Sequence, residues 1–140
     1  MLTIEEIGVS YKNGQTIHLG ASPLLMSVIE RLGIEELVNE HCPSGRQEVS
    51  NGKAALAVLL SRLLNPKALY KIEDWLHESG LETLLETGAE KFNDDLLGRM
   101  MDTISEQSEA LWVEVVGRAL AAYPELVGCF IHYDVTVRRR

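Results

Sequence analysis

Apolar residues recur at helical spacing through most of this sequence, and most of these stretches end at a glycine or a proline. The clearest stop signals are Gly33, Gly80, Gly88, the pair Asn65-Pro66, and Pro124. Apolar residues three and four positions apart lie on one face of an α-helix, whereas glycine and proline end helices. The pattern therefore predicts a mainly α, bundle-like domain of short amphipathic helices.

Capping residues mark where several of these helices begin. Ser22-Pro23 is typical of a helix start, and Ser50 or Asn51 is a suitable N-cap for the most apolar helix, which we expect to be central and buried. Asn93 caps a helix that either breaks near Ser105 or continues to residue 122. A short helix is also expected at Leu81, Leu84 and Leu85.

The apolar residues of the last helical region are expected to face the core. They are Leu96, Leu97, Met100, Met101, Ile104, Leu111, Trp112, Val115, Val116, Ala119 and Leu120. In contrast, Glu73, Asp74, Glu78 and Glu82 are expected on a solvated helix face.

Both ends of the chain have β-type patterns. Asn13-Gly14 separates two short apolar stretches, which predicts a small N-terminal β-hairpin. Residues 126–134 form a β-branched and aromatic run that is apolar on both faces, which predicts a strand that needs a sheet around it. We therefore expect a helical domain at 1–124 and, at 125–140, an orphan strand that begins a second domain.

Length and composition fit one globular core. The chain has 140 residues, of which 46% are hydrophobic, and no run approaches the roughly 18 to 20 apolar residues of a membrane span. The N-terminus lacks the basic region of a secretion signal, so we expect a cytoplasmic protein with no membrane partner. Cys42 and Cys129 are far apart without CxxC spacing, so we expect free thiols.

Basic charge is concentrated in one part of an acidic chain. The net charge is −8, yet residues 42–71 carry five basic residues and one acidic residue. Lysine and arginine side chains neutralise phosphates, so this stretch is the candidate DNA-binding region. Its basic residues, with Tyr70 nearby, are Arg46, Lys53, Arg62, Lys67 and Lys71.

Two segments resemble the bacterial insertion-sequence DDE transposases, whose catalytic domain has an RNase H-like fold. Residues 131–136 read IHYDVT, which is similar to the first catalytic strand of that family and its D-x-T step. Residues 68–104 read ALYKIEDWLHESGLETLLETGAEKFNDDLLGRMMDTI, which is similar to the region that precedes the strand. The resemblance implies an N-terminal helical domain, labelled in the family as a domain of unknown function, followed by the first catalytic strand.

The resemblance also implies a role for Asp134. In the intact family, Mg²⁺ ions are held by two aspartates and one glutamate, and Asp134 matches the first of them, with Thr136 as its D-x-T neighbour. The match fails beyond Thr136, where the sequence reads VRRR. We therefore expect a truncated fragment that has no cofactor, lacks the second aspartate and the glutamate, and is not an enzyme.

Two functions remain open at this stage. The resemblance implies binding to transposon-end DNA or transposase assembly, with a homodimer or the full-length transposase as partner. The alternative is a protein-protein interaction or dimerisation module that does not bind DNA, in which the basic residues are a solvated helix face. A single stripe of the five basic residues favours DNA, and dispersion favours the interaction module.

Overall fold

The computed structural model describes the backbone of residues 9–12 and 15–18 and the continuous chain from 19 to 128. The described chain is mainly helical, as predicted. Two short strands, β1 (Val9–Lys12) and β2 (Gln15–His18), pair antiparallel with Lys12 opposite Gln15. The helices described are α1 (Ser22–Leu32), α2 (Ile34–His41), α3 (Asn51–Leu64), α4 (Ile72–Ser79), α5 (Asp94–Glu106) and α6 (Ser108–Ala122).

The helix α3 is the central buried helix, which confirms that prediction. Ser50 is its N-cap and accepts a hydrogen bond from the Lys53 N–H at 3.1 Å, and the helix ends just before Asn65-Pro66. The helices α1, α2, α4 and α5 pack around it. Its buried residues are Asn51, Gly52, Ala54, Leu56, Ala57, Val58, Leu60 and Ser61.

Residues 80–86 form a series of turns, so the short helix predicted at Leu81, Leu84 and Leu85 is wrong. The backbone hydrogen bonds here mix spacings, because Thr83 N–H donates to Gly80 O while Thr87 N–H donates to Glu82 O. Glu86 has a φ of 51°, which an α-helix does not allow. Leu81 and Leu85 are nevertheless buried in the main core.

The last helical region consists of two helices rather than one. Gln107, with φ −104° and ψ 8°, separates α5 from α6, two residues after the predicted break. Asn93 caps α5 as predicted, accepting from the Leu96 N–H at 2.9 Å. No helix within residues 19–128 is long and apolar enough to span a membrane.

A second, smaller core joins α6 to α2. It consists of Leu37, Val38, Cys42 and Leu111, and Leu111 is the only buried residue of α6. The helix α6 is therefore attached to the domain by a narrow apolar contact.

The described chain ends differently from the prediction. Residues Pro124–Leu126 form a 3₁₀ turn, and Val127 and Gly128 form a further turn, so the predicted strand does not begin at Leu126. Proline fixes φ at a helical value, which favours this turn. The rest of the predicted strand, including Asp134 and Thr136, lies outside the described residues.

Candidate functional site

The five basic residues of the predicted DNA-binding region do not lie in one stripe. Arg46 lies in the loop before α3, Lys53 in its first turn and Arg62 in its last turn, whereas Lys67 and Lys71 follow the helix. Lys53 and Arg62 are nine residues apart, which corresponds to about 13 Å along the axis and about 180° around it. The two ends of α3 therefore present separate basic residues on opposite faces.

Lys53 lies in acidic surroundings. It borders a cavity whose apolar lining residues include Met26, Ile29 and Leu56. The same cavity is bordered by Glu30, Glu35, Glu36 and Glu86. Because these carboxylates repel anions, Lys53 is poorly placed to bind a phosphate.

Three basic residues lie together in sequence at the C-terminal end of α3, and we call Arg62, Lys67 and Lys71 the α3-end cations. No acidic residue occurs between positions 49 and 72. Arg62 and Lys71 are exposed, and Lys67 is half-buried. Tyr70 is 66% exposed, and the Lys71 Nζ lies 5.6 Å from the centroid of its ring. A cationic surface with an exposed aromatic ring is the kind that nucleic acids contact.

The α3-end cations also lack acidic partners. None of them forms an ion pair with any residue in the range 19–128, and the same is true of Arg46 and Lys53. By contrast, Lys91 pairs with Glu48, which raises the Lys91 pKa mainly through their hydrogen bond, and Arg99 pairs with Asp95 at 3.0 Å. All five cations of the predicted basic region are therefore without an ion pair to the residues in this range, as is Arg31, which instead donates to Ala122 O and lies over the Tyr123 ring.

The charged residues of α6 mostly face the domain. Arg118 Nη1 donates to the backbone oxygens of Leu32 at 3.2 Å and Gly33 at 2.9 Å, which caps the C-terminal end of α1. Glu114 Oε1 lies 2.9 Å from Nε2 of His41 on α2. These polar contacts fix the orientation of α6 on α1 and α2.

The outward surface of α6 is apolar. Trp112 is 69% exposed, Val113 66%, Val116 37% and Leu120 42%, and we call these four residues the α6 stripe. The predicted inward orientation of Trp112, Val116 and Leu120 is therefore wrong. The helix α6 is apolar on two faces, and the face with Leu111 and Val115 is the one that packs on α2.

Two further residues differ from their predicted surroundings. Glu82, predicted on a solvated face, is buried and accepts a hydrogen bond from the Ala89 N–H at 2.9 Å. Met101, predicted in the core, is 40% exposed. The local signal for the burial of Glu82 was Gly88. The turn after this glycine leaves the Ala89 N–H as a backbone donor for a nearby carboxylate.

Residues 19–128 contain no group of three or more histidine, cysteine or acidic residues that could hold a metal ion. His41 contacts Glu114, and Cys42 is fully buried, which raises the pKa of its thiol by desolvation. Asp134, the predicted metal-binding carboxylate, lies outside the described residues. The described chain thus offers two surfaces, the α3-end cations and the α6 stripe.

Comparison with known proteins identifies one family. No curated protein and no solved structure is significantly similar to the chain. The model of a domain of unknown function, DUF4277, matches residues 14–117, which extend from the position just before β2 into α6. Because this match covers most of the sequence, the chain belongs to the DUF4277 family.

Proposed function

We propose that this chain is the N-terminal region of an insertion-sequence transposase and that its helical domain serves transposase assembly. In this role the α6 stripe binds the α6 stripe of a second copy. Support for the transposase comes from the resemblance of residues 68–104 and 131–136 to that family. Support for assembly comes from the surface of α6.

The observation that carries this proposal is the apolar outward face of α6. A surface helix normally presents polar side chains to solvent and apolar side chains to the core. In α6, Glu114 and Arg118 contact α1 and α2, while the α6 stripe is exposed. An exposed apolar patch of this kind is typical of a protein-protein interface, because burying it releases about 25 cal/mol per Å² of apolar surface.

The absence of charge in the α6 stripe makes this surface compatible with a second copy as the partner. Each chain carries a net charge of −8, so most approaches of two copies are repulsive. The α6 stripe itself is uncharged. Two copies can therefore meet there without placing like charges opposite each other.

Sizing of the purified chain tests this proposal. By light scattering after size exclusion, we expect the mass to rise towards that of a dimer with increasing concentration. Leu120→Glu should abolish that rise, because it places a carboxylate in the α6 stripe. Met101→Glu is the matched control, since Met101 is a similarly exposed apolar residue on α5.

If the parent chain has the mass of a monomer at all concentrations, self-association is contradicted. Equal masses of the Leu120→Glu and Met101→Glu variants would contradict it as well. Both substitutions are at exposed positions, so each variant should keep the helical circular dichroism of the parent chain. That spectrum is the control for folding.

A second candidate function is contact with transposon-end DNA through the α3-end cations. The observation that favours it is that these residues have no acidic partner within residues 19–128 and that one of them, Lys71, lies beside the exposed ring of Tyr70. The dispersion of the five basic residues favours the interaction role over a five-residue DNA stripe. DNA contact in this proposal therefore involves Arg62, Lys67 and Lys71 alone.

The proposed role does not include DNA cleavage by this chain. A two-metal mechanism requires several carboxylates around its Mg²⁺ ions. In this sequence the resemblance assigns only Asp134 to that set. The proposal therefore concerns binding and assembly.

A further inference from the structure

The geometry of α6 points to an antiparallel α6–α6 pair with Val116 on its two-fold axis and with Glu109 of each copy beside Arg31 of the other. This inference rests on the proposed self-association and specifies its arrangement. It does not depend on DNA binding.

The spacing of the α6 stripe makes it symmetric about its middle. Trp112, Val116 and Leu120 are four residues apart, so they form one ridge of the kind that packs between helices. In an antiparallel pair centred on Val116, Trp112 of one copy lies opposite Leu120 of the other. A parallel pair would instead place the two bulky Trp112 rings against each other at the same level.

Gly117, next to the centre of the ridge, is exposed and leaves space for a partner. A Cβ added to Gly117 would meet nothing within 4 Å in this copy. Glycine inside a helix costs about 1 kcal/mol relative to alanine, and no contact among the described residues of this copy requires it. Close approach of a second helix gives this residue a role, since small residues at a helix crossing let backbones approach.

Charge complementarity selects the antiparallel direction. Glu109 lies exposed in the first turn of α6. At the opposite end, exposed Arg31 donates to Ala122 O at 2.9 Å and lies 4.5 Å from the centroid of the Tyr123 ring. Antiparallel pairing about Val116 brings position 109 opposite position 123, and so brings opposite charges together at both ends. Parallel pairing would bring Glu109 beside Glu109.

Cysteine cross-linking of the full chain tests the arrangement. In a background with Cys129→Ser, Val116→Cys should form a disulfide-linked dimer, because residues on the axis meet their own copies. Leu120→Cys should not, because its two copies are separated by about 12 Å along the helix axes. Cys42 is fully buried and should not react.

Reversal of charge gives a second readout. Glu109→Arg alone and Arg31→Glu alone should each raise the dimer dissociation constant about tenfold. The double variant should return it to within about threefold of the parent value. Because Arg31 also contacts Ala122, this recovery is the informative result, and a merely local role of Arg31 would not produce it.

The outcomes separate the two claims. If Leu120→Glu removes the dimer but Leu120→Cys cross-links as well as Val116→Cys, the antiparallel arrangement is overturned and self-association stands. If neither cysteine cross-links and the parent chain is a monomer, self-association itself is overturned. If deletion of residues 126–140 removes the dimer while Leu120→Glu does not, the interface lies in the C-terminal segment, and both claims are overturned.

Discussion

Lys53 and Arg62 are nine positions apart in the sequence, and the charge of their surroundings differs in sign. Lys53 borders a cavity with four glutamates, whereas Arg62 lies in a stretch without acidic residues. The charge of the segment was evident from the sequence. The difference between its two ends was not, because Glu30, Glu35, Glu36 and Glu86 approach Lys53 only in the folded chain.

This contrast gives a matched prediction for DNA binding. Arg62→Gln with Lys71→Gln should weaken binding to a transposon-end duplex about tenfold, because it removes two unpaired cations that can neutralise phosphates. Arg46→Gln with Lys53→Gln removes the same charge and should change affinity less than about twofold. Fluorescence anisotropy at low salt measures both variants. Equal losses would show that only net charge matters.

Glu82 and Met101 show a further difference at the level of single residues. Their positions in the sequence are typical of a solvated acid and of a core methionine. Tertiary packing reverses both predictions. Glu82 is buried and accepts a hydrogen bond from the Ala89 N–H, whereas Met101 is exposed on α5, which buries Leu96, Leu97 and Met100. Whether such a side chain is buried depends on which other parts of the chain pack beside it, and the local sequence pattern does not contain that information.

Among the elements, α3 was predicted well because its signals are local. Ser50 caps α3, and Asn65-Pro66 follows its last residue. For α6 the existence of the helix was predicted, but the orientation was wrong. A helix that is apolar on two faces gives no sequence signal for the face that packs on the domain.

The close approach of α2 to α3 gives a prediction at this scale. The Gly52 N–H donates to Asn39 Oδ1 at 2.7 Å, and a Cβ on Gly52 would overlap the Asn39 side chain and the Glu35 backbone oxygen. Gly52→Ala should therefore lower the free energy of unfolding by about 2 kcal/mol or more, as overpacking does.

The matched control is Gly98→Ala on α5. A Cβ at Gly98 would meet nothing within 4 Å, so alanine should raise the free energy of unfolding by about 0.5 to 1 kcal/mol. Urea unfolding followed by circular dichroism measures both changes. A stabilising Gly52→Ala would contradict the close packing of α2 on α3.

At the scale of the whole molecule, the structure describes one helical domain with a narrowly attached last helix. The main core gathers residues from α1, α3, α4 and α5, while α6 contributes Leu111 to a separate small core with α2. The polar contacts of Arg118 and Glu114 then hold the apolar stripe outward. The mainly α class follows from the sequence pattern, whereas this outward surface follows only from the packing.

The fluorescence of Trp112 tests the central claim, that the α6 stripe is buried against a second copy. The chain has two tryptophans, and Trp75 is buried while Trp112 is 69% exposed. The Trp112 signal is the difference between the spectra of the parent chain and of Trp112→Phe, and it should be measured across a wide range of protein concentration. We expect its emission maximum to move to shorter wavelength as concentration rises, in step with the mass measured by light scattering. Emission typical of a water-exposed indole at every concentration would contradict burial of the α6 stripe against a second copy.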